Sequence, residues 1–143
     1  MDGYIYWAAP LFTRGERDFN SSVATYLRQG GLRVFLPQTE CQGDPQAIFA
    51  TCVRGVEGAS IVVAVLDGAD ADSGTCWEVG FAYAKGIPIL GIRTDFRGTG
   101  DMEGFNLMLK FSCTAVLNLG VDLDAPSIGA KIVECLRDNL GLL

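Results

Sequence analysis

The sequence predicts an α/β fold: a five-stranded parallel sheet with helices on both faces. Strand-like and helix-like segments alternate about five times along the 143 residues, which is the signature of right-handed βαβ crossovers. One strand, residues 60–66 (SIVVAVL), is almost wholly apolar, as a central parallel strand covered on both sides has to be. The helical segments also start and stop on residues suited to caps, such as Asp44-Pro45 at one start and Gly30-Gly31 at one end.

The elements follow in order. YIYWAA (residues 4–9) is aromatic and β-rich, and Pro10 ends it. Residues 15–29 form a helix with Phe19, Val23, Tyr26 and Leu27 on one face. LRVFL (32–36) is the second strand, closed by Pro37. The next helix is capped by Asp44 and carries Ile48, Phe49, Cys52, Val53 and Val56 at helical spacing. After the central strand comes an acidic loop with Asp67, Asp70 and Asp72, then a helix from about Thr75 to Lys85, stopped by Gly86 and Pro88. Its Gly80, Ala82 and Ala84 are small enough for close packing. PILGIR (88–93) is strand four, residues 100–111 a short helix or ordered loop, and TAVLNL (114–119) strand five. A closing amphipathic helix (126–140) buries Ile128, Ile132, Val133, Leu136 and Leu140. Five strands suggest the flavodoxin-like (Rossmann-like) order 2-1-3-4-5, whose ligands sit beyond the C-terminal ends of strands one and three. Residues 8–12 and 67–74 fall there.

Composition narrows the chemistry. The net charge of −6 argues against a basic nucleic-acid-binding surface. The apolar runs are too short for a membrane span, and MDGYIYW lacks the features of a signal peptide, so the expected location is the cytoplasm. Five cysteines (Cys41, Cys52, Cys76, Cys113, Cys135) with no CxxC spacing predict neither a metal nor a disulfide framework; most should be buried small hydrophobes. There is no histidine. That removes Ser-His-Asp and Cys-His catalysis and HExxH zinc sites, leaving carboxylates, tyrosines or cysteines for acid-base or nucleophilic steps. No GxGxxG or GxxxxGK[ST] loop is present, and the strand-three aspartates would repel a phosphate. A phosphotransfer receiver would need acids at the end of strand one, where WAAPLF stands.

Glu78 has two compatible readings. Thr75-Cys76-Trp77-Glu78 fits a T-x-x-E capping box. Alternatively Glu78 is a nucleophile whose charge a helix N-terminus favours, lowering its pKa, as a retaining glycosyl transfer requires. Asp72 is either the N-cap or a handle for a base-shaped ligand. Asp67 and Asp70 read as solvated turn residues beside Gly68 and Gly74. Tyr6 either packs or, facing the crevice, orients Glu78. Trp7 and Phe12 either pack in the core or stack on a flat ring.

Three blocks in order, IYWAAPLFT, DADSGTCWEVGFAYAKGIPIL, and RTDFR followed by FNLML, resemble the nucleoside 2-deoxyribosyltransferase family over most of the chain, from Tyr4 to about Phe111. The resemblance implies a single domain over residues 1–143, with neither metal nor organic cofactor. It implies movement of a 2-deoxyribosyl group between nucleobases through a covalent glycosyl-glutamate, with a small deoxynucleoside and a free nucleobase as partners. Carried over, Glu78 is the nucleophile, Tyr6 holds it, and Asp72 binds the base edge and helps deliver its proton. Phe12 lines the base pocket, with Gly74 and Trp7 among the substrate-binding positions. Asn106 contacts the sugar of a neighbouring subunit's site, with Met108 in the wall, which implies a homo-oligomer. Asp95 and Arg97 shape the entrance. The chain departs from the family's pattern where members often carry an acid about 26 residues before the nucleophile: Cys52 stands there. It also continues past the asparagine block, whereas some members end close after it. The resemblance leaves one alternative: an N-glycoside hydrolase of deoxynucleosides or their 5'-monophosphates. Asn106 and the acidic loop favour an unphosphorylated nucleoside.

Overall fold

The central apolar run forms β3 (Ile61–Val65), buried along its whole length. In the computed structural model, which describes residues 2–97 and 104–143, it pairs in parallel with β1 (Ile5–Ala8) on one side and β4 (Ile89–Arg93) on the other. The short β2 (Val34–Phe35) adds outside β1, and β5 (Ala115–Asn118) outside β4. The order is β2-β1-β3-β4-β5, the expected flavodoxin-like topology.

The helices are α1 (Arg14–Gln29), α2 (Pro37–Glu40), α3 (Pro45–Glu57), α4 (Ser73–Ala84), α5 (Leu107–Ser112) and α6 (Ala125–Asp138). Only the single turn α2 was not foreseen: Pro37, expected merely to close the strand, sits at its first position. Caps hold several of these ends. Thr13 and Glu16 form a capping box on α1, and Asp44 and Asp124 accept from the third backbone N–H of α3 and α6, each followed closely by a proline. Of the expected segment at 100–111, residues 100–103 lie outside the described residues.

Strand side chains alternate between faces, so the sheet carries two cores. Ile5, Trp7, Ile61, Val63, Val65, Leu90 and Ile92 pack with Val23, Ala24 and Leu27 of α1 and with Ile128, Ile132 and Leu136 of α6. Tyr6, Ala8, Val62, Ala64 and Ile89 face the other way, with Val56 of α3 and Val79 and Ala82 of α4. Each fully buried aliphatic side chain contributes roughly 1.5–3 kcal/mol relative to exposure. Gly80 is exposed with open space around it, so the close-packing role suggested for it falls to Ala82. No helix among the described residues is long and apolar enough to cross a membrane.

Candidate active site

Tyr6 lies in the middle of β1 with its ring on the α3/α4 face. Phe35 stacks against it at 5.3 Å between centroids. On the other side α3 comes so near that a Cβ at Gly55 would lie 2.8 Å from Tyr6 Cε2. Only glycine permits that approach. The clamped ring sends its hydroxyl to α4, where it donates a 2.5 Å hydrogen bond to Glu78 Oε1. Burial and the adjacent carboxylate hold the proton on Tyr6, so the phenol is a donor.

Glu78 does not close a capping box. Asp72 is the N-cap of α4; its Oδ2 accepts from the Thr75 backbone N–H at 2.9 Å and from the Thr75 hydroxyl at 3.2 Å. The helix therefore starts at Ser73, two residues earlier than expected, and Glu78 lies in its second turn, beyond the first-turn donors. Its pKa is not lowered, contrary to the sequence expectation. Desolvation pushes it up to about 7, with the Tyr6 hydrogen bond opposing and the charge of Asp72 adding to the rise. The helix field fades within a turn, whereas burial acts on the whole group.

Glu78 forms part of the wall of a cleft of about 340 Å³ between α3 and α4, together with Pro45, Ile48, Phe49, Cys52, Val53, Gly74 and Trp77. The lining is mainly apolar, and Glu78 is its one carboxylate. Phe49 meets the Trp77 ring edge-on at 5.7 Å, and Phe81 stacks on Trp77 at 5.1 Å. The helical spacing of Ile48 and Phe49 predicted one apolar face; both are exposed and line the cleft. Spacing alone does not separate core from cleft wall. The aromatic pair Phe49 and Trp77 was the available signal.

The structure thus brings Tyr6, Glu78, Asp72 and Gly74 together. Trp7 is not a stacking surface: it is buried among the α1/α6 side chains, and its indole N–H donates to Asn20 Oδ1 at 2.9 Å. Phe12 is three-quarters exposed in the loop after β1. Asn106 caps α5, accepting from the Met108 N–H at 2.9 Å, and Met108 projects outward. In its own chain Asn106 lines a separate small cavity with Asp70, Arg93 and Leu109.

The loops around the site are tied to one another. Asp67, expected to be solvated, accepts from the backbone N–H and hydroxyl of Thr94. Asp95 accepts from the Gly68 N–H at 2.9 Å and pairs with Arg97. Arg97 and Asp67 border a second cavity of about 290 Å³ with Pro10, Glu16 and Phe19. Among the described residues no group of three or more Cys, Asp or Glu side chains is placed to hold a metal ion.

A parallel sheet in this order, with a tyrosine-held glutamate in the wall of an apolar cleft, defines a flavodoxin-like α/β protein with a candidate small-molecule site on its α3/α4 face. The nucleoside 2-deoxyribosyltransferase family model matches residues 5–119, and the chain belongs to that family. A 2-deoxyribosyltransferase from the psychrotolerant bacterium Bacillus psychrosaccharolyticus is 26% identical, with a TM-score of 0.68 over 88% of this chain and 90% of that one. A conserved protein from Enterococcus faecalis V583 is 24% identical, with a TM-score of 0.72 over 92% and 98%. A 2-desoxiribosyltransferase from Leishmania mexicana shares the fold at 19% identity, with a TM-score of 0.70 over 95% and 98%. No curated protein matches the sequence.

Proposed function

We propose that the protein exchanges nucleobases on 2-deoxyribose, with Glu78 as the nucleophile and retention at the anomeric carbon. The observation that carries this is the Tyr6–Glu78 hydrogen bond in the wall of an apolar cleft. Tyr6 occupies Oε1, which leaves Oε2 for attack on the anomeric carbon as its bond to the base breaks. The departing base takes the bonding electrons and needs a proton. Asp72, whose Oδ1 stands outside the helix cap, is assigned to the base edge and to that proton. A second base then displaces Glu78, restoring the original configuration.

Burial serves this reaction. A desolvated carboxylate is poorly stabilised at rest and gains as positive charge develops on the sugar ring, so the gain falls in the transition state. The apolar walls keep water from competing with the acceptor base. The cleft volume falls in the range of small-molecule sites, about 300–1,000 Å³, and Phe49 and Trp77 offer flat surfaces.

Asn106 and Met108 face outward from α5, Leu107 and Phe111 of that helix are exposed, and exposed Tyr83 of α4 borders a surface hollow with Phe111. Such apolar surface suits an interface between subunits, and we assign Asn106 to the sugar of a neighbouring subunit's site. The protein is assigned to the cytoplasm and to salvage of deoxynucleosides.

The test is to incubate the protein with deoxyadenosine and free cytosine. Deoxycytidine is the expected product, and acid-quenched enzyme should carry a deoxyribosyl adduct on the Glu78 peptide. Free deoxyribose and adenine alone would replace transfer by hydrolysis, and an adduct elsewhere would remove Glu78 as the nucleophile.

A further inference from the structure

Cys41 ends α2 and Cys52 lies in the middle of α3. The connecting turn passes through Gly43, whose φ of 112° suits glycine, and brings the two sulfurs to 3.0 Å. A disulfide bond is ~2.04 Å, so bonding requires a closure of only about 1 Å. Both side chains are partly exposed, whereas Cys135 is buried. Cys52 also lines the Glu78 cleft, and its thiol interacts with the Tyr6 hydroxyl.

We propose that Cys41 and Cys52 are an oxidative modification site: a peroxide joins them as a disulfide, and that bond suppresses turnover in the adjoining cleft. The second half rests on the function proposed above. In the first step the Cys52 thiol gives up its proton and its sulfur attacks a peroxide oxygen, becoming a sulfenic acid as the other oxygen leaves with that proton as water. Cys41 then attacks the sulfenic sulfur and expels a second water. With hydrogen peroxide, two thiols and one oxidant give one disulfide and two waters, and two electrons pass from sulfur to oxygen. Burial and the neighbouring Cys52 thiol push Cys41 up to about 12, which disfavours its thiolate and leaves the first attack on peroxide to Cys52.

The bond would act on the cleft through two contacts. It removes the Cys52 S–H from beside the Tyr6 hydroxyl that positions Glu78. It also draws the middle of α3 toward Cys41, and with it the Ile48, Phe49 and Val53 wall.

The experiment treats the reduced full chain with hydrogen peroxide, blocks remaining thiols by alkylation, and maps peptides by mass. Alkylatable thiols should fall from five to three, with residues 41 and 52 in one linked peptide pair. Base exchange should drop at least tenfold and return with dithiothreitol. Cys41→Ser should exchange bases at the unoxidised rate and resist peroxide. Five remaining thiols, or a link between other cysteines, overturn the modification site. A mapped 41–52 link with unchanged exchange, or equal peroxide sensitivity in Cys41→Ser, overturns the effect on turnover. If the reduced protein neither exchanges bases nor hydrolyses deoxynucleosides, the functional reading fails, while the peptide map still decides the modification.

Discussion

On the α1/α6 face, the strands send Ile5, Trp7, Val63 and Ile92 into helices lined with Val23, Leu27, Ile128 and Ile132. On the α3/α4 face, the same strands send Tyr6, Ala8, Val62 and Ala64. Among the described residues the first face has one buried polar knot, and it is satisfied: Asn20 accepts from Trp7 and donates to Pro10 and Gln38. The second face holds a carboxylate that burial pushes up to about 7. Large aliphatics pack one side for stability. Small strand residues, a glycine in α3 and an acid that the fold disfavours in its charged form leave the other side suited to chemistry. Functional sites commonly carry such a cost, offset elsewhere in the structure.

Glu78→Gln should show the contrast most strongly. Without a nucleophile, kcat should fall by about three orders of magnitude or more, measured by base exchange. Stability should move the other way. Glu78 has a folded pKa above its unfolded value, so its own contribution to stability is fully present below about pH 4.5 and is lost as pH rises through about 7. Each pKa unit corresponds to about 1.4 kcal/mol, so the variant should be more stable at pH 8 by on the order of 2–4 kcal/mol. Denaturant melts at pH 5 and 8 check this; equal wild-type stability at both would mean that Glu78 is not desolvated.

Tyr6→Phe should have a smaller effect. Removing the hydroxyl takes away the interaction that lowers the Glu78 pKa, so the acidic limb of kcat/KM, centred near pH 7 in the wild type, should move to higher pH. At its optimum kcat should fall about 10- to 100-fold, the scale of losing a charge-assisted hydrogen bond of roughly 1.5–3 kcal/mol. A profile that keeps its midpoint would mean that Tyr6 only packs.

The sheet order was legible because β-α alternation and one apolar strand leave few topologies. The block around DSGTCWEVG was legible because its acids fall at the C-terminal end of the central strand. The helix start was not. Asp72 and Thr75 are both good N-caps, and only the observed bonds from Thr75 to Asp72 decide between them. The earlier start leaves Glu78 in the second turn, past the helix end, where it meets Tyr6. Trp7 was ambiguous for a related reason: adjacent to Tyr6, it points to the opposite face, where Asn20 takes its indole N–H. The Cys41–Cys52 contact had no signature, since a turn and a helix start separate them.

The finest test of the two faces pairs changes of one carbon each. Ile132→Val removes a methylene from the α1/α6 core and should cost about 0.5–1.5 kcal/mol, with kcat unchanged because nothing it touches reaches Glu78. Gly55→Ala adds a methyl to α3. Helix propensity would favour alanine by about 1 kcal/mol, but its Cβ would sit 2.8 Å from Tyr6 Cε2 and 2.9 Å from Phe35 Cζ. Overpacking costs about 1–3 kcal/mol, so the net stability loss should resemble that of Ile132→Val. The Tyr6 ring must yield, however, and the hydroxyl at Glu78 moves with it, so kcat should fall several-fold at comparable stability. If both variants lose stability alike and keep kcat, the clamp on Tyr6 is packing alone, and the division of labour between the faces does not hold at this position.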